Sequence, residues 1–77
     1  QLVLFGLYQV VHLDGPHTTK AVIDELSFFI PRMASKGLII IDDYTDLQMG
    51  IVDMLLKTYN FNVAVKGDNK IIYQKEI

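Results

Sequence analysis

The chain of 77 residues contains no cysteine and no tryptophan, and only two prolines and five glycines. Without cysteine there is no disulfide framework and no thiolate metal site, which suits a reducing cytosol. A cytoplasmic location is the expectation. Basic residues are also scarce: seven Lys and Arg face nine Asp and Glu, for a formal net charge of −2. They are scattered along the chain, so the clustered basic footprint of a nucleic-acid binder is missing. No apolar run approaches the roughly 18–20 residues that cross a bilayer. Leu2 to Val11 reads as a poor signal peptide, since no basic leader precedes it and Gly6 and Gln9 interrupt it. Internal repeats and low-complexity segments are absent.

Apolar residues, by contrast, are abundant at 51%. A domain this short buries only about 60–65% of the surface its unfolded chain exposes. So apolar a chain is expected to complete a larger fold, or to pair with a second copy of itself. It opens on Gln1 without an initiator Met. The expectation is one partial domain over residues 1–77, whose partners are a missing N-terminal half or a homo-oligomeric copy.

Hydrophobic patterning sets the order of elements. Tyr8 to Leu13 reads as a short apolar strand ending at Asp14-Gly15-Pro16; residues 1–6 either extend it or belong to an earlier element. Thr18 or Thr19 N-caps a helix carrying Ala21, Val22, Leu26, Phe29, Ile30 and Met33, which Pro31 ends or kinks. Gly37 closes the turn into Leu38 to Ile41, an apolar run that predicts a strand buried on both faces. Thr45 or Asp46 caps a second helix bearing Leu47, Ile51, Met54, Leu55 and Tyr59, where Gly50 marks close packing. Phe61 to Lys66 and Lys70 to Glu76 form a hairpin about Gly67-Asp68-Asn69. The predicted class is α/β, ordered β-α-β-α-β-β, with parallel strands and a C-terminal antiparallel hairpin at a mixed edge.

Ligands of open α/β sheets bind outside the carboxyl ends of the strands. Both proposed parallel strands end in Asp: Asp14 on the first, Asp42 and Asp43 on the second. Carboxylates converging there need a cation or a proton between them, and an oxygen-rich set suits Mg²⁺ or a similar divalent ion. The competing reading makes Asp43 or Asp46 a helix cap. His17 is a base, a ligand or simply an exposed first-turn residue. His12 is expected to be a hydrogen-bonded core residue, and Tyr44 to line a substrate pocket. Phe28, Phe29, Tyr59 and Phe61 are expected in the core. Lys66, Lys70 and Lys75 are expected to solvate an edge hairpin.

The stretch VVHLDGPHTTKAVIDELSFFIPRMASKGLIIIDDY resembles the second half of class I S-adenosylmethionine-dependent methyltransferases, and in particular the macrocin-type sugar O-methyltransferases. The resemblance rests on Leu13-Asp14-Gly15-Pro16-His17, Ile30-Pro31, Gly37 and Ile41-Asp42-Asp43-Tyr44. It implies a partial Rossmann-like fold supplying strands four to seven of a seven-stranded sheet. It also implies that Asp14, Asp42 and Asp43 hold a divalent cation beside a hydroxylated, sugar-like acceptor, with Asp14 or His17 taking the proton. The glycine-rich turn and acidic residue that hold S-adenosylmethionine have no counterpart in these residues, so the piece alone is expected to be inactive. Two other classes stay open: a non-catalytic α/β interaction domain that dimerises, and a receiver-like signalling domain read from LIIIDDYTDLQMGIVDMLLKTYNFNVAVKGDN.

Overall fold

The computed structural model describes residues 7–15 and 18–77. The elements are β1 (Tyr8–Leu13), α1 (Thr19–Phe29), β2 (Met33–Asp42), α2 (Met49–Thr58), β3 (Phe61–Lys66) and β4 (Lys70–Lys75). Short 3₁₀ turns at Ile30–Arg32 and Tyr44–Asp46 follow α1 and β2. The class is α/β around a mixed four-stranded sheet ordered β1-β2-β4-β3.

Among the described residues only β1 and β2 pair in parallel, with Leu13 opposite Ile41. β4 runs antiparallel to both β2 and β3. The reversed strand therefore lies inside the sheet, and the expectation of a mixed edge is corrected. Burial follows the strand order. Ile71 and Tyr73 of β4 are buried, whereas every residue of β3 after Phe61 is exposed. β4 takes the central place, where both its edges are paired, and β3 is left at the edge.

Both helices pack on one face of the sheet. Val22 and Leu26 of α1 and Val52 and Leu56 of α2 share a core with Val11, Leu13, Ile39, Ile41, Phe61, Ile71 and Tyr73. Thr19 Oγ1 accepts a hydrogen bond from the Gln48 amide at 2.9 Å, joining the helix N-termini. Val10, Leu38, Ile40 and Ile72 point to the opposite face; Val10 is 56% exposed and the other three are half-buried. β2 is thus covered on one face, not both.

Local chemistry sets the boundaries. Thr18 caps α1, its Oγ1 accepting from the Ala21 amide at 3.2 Å, and Pro31 sits in the 3₁₀ turn that ends the helix. Arg32 donates to the Phe28 carbonyl at 2.6 Å and lies 4.0 Å from the Phe28 ring centroid, closing that end. α2 starts later than expected, with Gln48 at its N-cap, because left-handed Asp43 leads first into the 3₁₀ turn. Its buried stripe is Val52 and Leu56, while Ile51, Met54 and Tyr59 are 51%, 70% and 52% exposed. Adjacent apolar pairs at i, i+4 spacing offered two stripes, and Val52 and Leu56 form the one that faces the core. Phe28 is likewise 49% exposed. A Cβ on Gly50 would meet nothing within 4 Å, so that glycine does not mark close packing.

Gly37 does. It lies inside β2, where Tyr8 pairs with Met33 but Val10 pairs with Leu38, so extra residues bulge from β2 around left-handed Lys36. A Cβ on Gly37 would fall 2.9 Å from both the Ala34 carbonyl oxygen and Met33 Cε. Gly37→Ala is expected to cost about 1–3 kcal/mol through overpacking, read as a lower urea midpoint. An unchanged midpoint would show that the bulge relaxes freely.

Candidate active site at the ends of β1 and β2

Parallel pairing brings the carboxyl ends of β1 and β2 to one level. Strand neighbours lie about 4.8 Å apart, so Asp14, one residue beyond β1, comes up beside Asp42, the last residue of β2. His12 shares the face of Val10 because side chains alternate with period two. Ligating atoms of His12, Asp14 and Asp42 all lie within 4.8 Å of one another.

Asp42 is the buried member, only 8% exposed. Its Oδ2 is hydrogen-bonded to His12 Nε2 at 3.0 Å. Its Oδ1 accepts from the Lys70 ammonium, and Lys70 is its direct cross-strand partner on β4. The Lys70 hydrogen bond, helped by the neighbouring Asp14 and His12 and opposed by burial, holds the Asp42 carboxyl at about 2. The same pairing pushes the Lys70 ammonium above its ordinary value.

A carboxyl lowered by folding stabilises the fold above its unfolded value of about 3.9, and that contribution disappears as the folded form titrates. Stability is therefore expected to fall between about pH 4 and the Asp42 value of about 2. Asp42→Asn should flatten the acid limb of a pH–denaturation series; an unchanged limb would mean that other carboxyls control it. At the alkaline end, burial and the Asp53 hydrogen bond push the Tyr73 phenol up. Its hydroxyl donates to Asp53 Oδ1 at 2.7 Å beneath α2.

Asp43 is outside the cluster. It occupies the left-handed region at φ 53° and ψ 39°, turning the chain away as soon as β2 ends. Next to it, Tyr44 donates its hydroxyl to the Gly67 carbonyl at 2.7 Å, tying the turn to the β3–β4 loop. Tyr44 also lines a cavity of about 320 Å³ with Met49, Asp53, Lys66 and Tyr73. His17 lies outside the described residues, as do residues 1–6.

Two members of the site differ from expectation. His12 is not a core residue: its side chain is 43% exposed and bonded to Asp42. Lys70 is not solvating an edge but holds a carboxylate inside the sheet. The i, i+2 spacing of His12 and Asp14, out of phase with apolar Val11 and Leu13, was the signal for the first. Lys70 left no comparable mark, because its role depends on β4 pairing with β2. Lys75, on the same strand, donates to the Met33 carbonyl at 3.3 Å.

No described helix is long and apolar enough to cross a membrane. No curated protein sequence and no solved structure matches the chain. A family model described as a methyltransferase domain matches residues 4–44, which include β1, α1, β2, Asp14, Asp42, Asp43 and Tyr44. That match spans more than half of the 77 residues, and the chain belongs to the methyltransferase domain family.

Proposed function

We propose that these residues form the acceptor side of an S-adenosylmethionine-dependent, divalent-metal-assisted O-methyltransferase of the class I, macrocin-like kind. The convergence of His12, Asp14 and Asp42 at the carboxyl ends of β1 and β2, inside the stretch matched to the methyltransferase domain, carries the reading. The acceptor is a small hydroxylated molecule of sugar-like chemistry. The partially apolar open face of the sheet, with Val10 and Val65 each 56% exposed, supports a partial domain completed by a cofactor-binding half.

The donor set fits a small divalent ion. Carboxylate oxygens of Asp14 and Asp42 suit Mg²⁺ or Mn²⁺, and the His12 nitrogen adds a borderline donor compatible with Mn²⁺. In the family-like reading His17 joins the acid–base set and Tyr44 lines the acceptor pocket, while Asp43 stays outside the ligand set. When bound, the cation lowers the pKa of the acceptor hydroxyl. Asp42, anchored from two sides, fixes the floor of the site. Asp14, exposed at the strand end, receives the hydroxyl proton. S-adenosylmethionine, when bound, would supply the sulfonium methyl to the acceptor oxygen, the carbon–sulfur electron pair returning to sulfur.

The test is transfer of labelled methyl from S-adenosylmethionine to a panel of sugar hydroxyls, in the protein carrying these residues. Transfer should require Mg²⁺ or Mn²⁺, stop with chelator, and fall on the order of 100-fold in Asp14→Asn, the scale of general-base loss. Transfer indifferent to both chelation and Asp14→Asn would refute the reading.

A further inference from the structure

Both oxygens of Asp42 already have partners, and the two partners differ in kind. His12 on β1 can exchange its bond to Oδ2 for another Lewis acid, because its side chain is 43% exposed and stands at the rim. Lys70 stands directly opposite Asp42 in the β2–β4 ladder. It holds Oδ1 with a full positive charge, an ion pair where His12 offers a hydrogen bond, although its side chain is 53% exposed. A ligand approaching the cluster therefore finds Oδ2 available and Oδ1 held by an ammonium.

We infer that Lys70 is the selectivity residue of this site, restricting Asp42 to monodentate donation through Oδ2. The inference rests on the divalent-cation reading above. Ca²⁺ takes six to eight oxygens at about 2.3–2.6 Å and commonly uses carboxylates bidentately, whereas Mg²⁺ prefers a compact octahedron at about 2.0–2.1 Å. Mn²⁺ is grouped with Mg²⁺ and Ca²⁺ as an ion suited to carboxylate, carbonyl and water ligands, and here stands in for the small octahedral ion. Blocking one oxygen of the buried ligand disfavours the large ion more than the small one. Lys70 also places a positive charge beside the bound cation, lowering affinity for every divalent ion.

The experiment is a calorimetric titration of wild type, Lys70→Met, Lys70→Gln and Lys70→Arg with Mn²⁺ and with Ca²⁺, folding being checked by circular dichroism. Removing the charge should tighten Mn²⁺ at least about tenfold, which corresponds to about 1.4 kcal/mol. Ca²⁺ should tighten further, so that the preference for Mn²⁺ over Ca²⁺ shrinks severalfold. Lys70→Arg should retain the wild-type preference. Binding with the same affinity and preference in all variants would overturn the role of Lys70 and leave the cation site standing. Absence of Mn²⁺ binding in wild type and both charge-removal variants would overturn the role of Lys70 together with the cation reading.

Discussion

Phe61→Ala is expected to destabilise the fold by about 3–5 kcal/mol, the usual cost of emptying a fully buried aromatic site. Phe61 is completely inaccessible to solvent, yet it opens the edge strand β3, whose other residues are all exposed. It follows left-handed Asn60 at the end of α2, and the Asn60 carbonyl accepts from the Glu76 amide at 2.8 Å. The ring is thus the main apolar anchor of β3 to the core beneath Leu56, and truncation removes packing that nothing else on that strand supplies. Domains of this size hold only about 5–15 kcal/mol in total. At about 4–8 °C per kcal/mol, the melting temperature should drop by at least about 12 °C. A drop under about 4 °C would show that β3 is held by its hydrogen bonds to β4 alone.

Asp42→Asn carries the second large effect, on cation binding. It removes the charge of the buried ligand and leaves Lys70 facing a neutral amide. Loss of Mn²⁺ affinity on the order of 100-fold is expected, at or above the 10–100-fold that outer-shell substitutions cost. Asp42→Asn also perturbs folding, so Asp14→Asn is the informative companion. Asp14 is exposed, and its substitution should leave stability within about 0.5 kcal/mol while weakening the cation by a similar factor. Calorimetry and urea denaturation of both variants separate the roles. If Asp14→Asn binds Mn²⁺ as wild type does, Asp14 is not a ligand.

Much of this was legible before the fold was known, for identifiable reasons. β1, α1 and the β3–β4 hairpin follow from short-range signals: the Thr18 cap, Pro31, and the Gly67-Asp68-Asn69 turn. Asp14 and Asp42 follow from two strands that each end in a carboxylate. What escaped the sequence depends on long-range pairing. The insertion of β4 between β2 and β3 decides which residue faces Asp42, and so hid Lys70. Coverage of one sheet face alone was invisible in the Leu38–Ile41 run, which is as apolar as a strand buried on both sides. Asp43 was grouped with Asp42 by adjacency, but its left-handed backbone separates the two. The buried stripe of α2 escaped because Ile51 and Val52 both begin plausible faces.

The most direct measurement of the central claim is anomalous diffraction from crystals grown with Mn²⁺. The account predicts a manganese peak about 2.0–2.4 Å from carboxylate oxygens of Asp14 and Asp42, with the His12 imidazole turned to it and Lys70 still on Oδ1. Manganese elsewhere, or no peak while His12 and Lys70 keep both oxygens of Asp42, would contradict it.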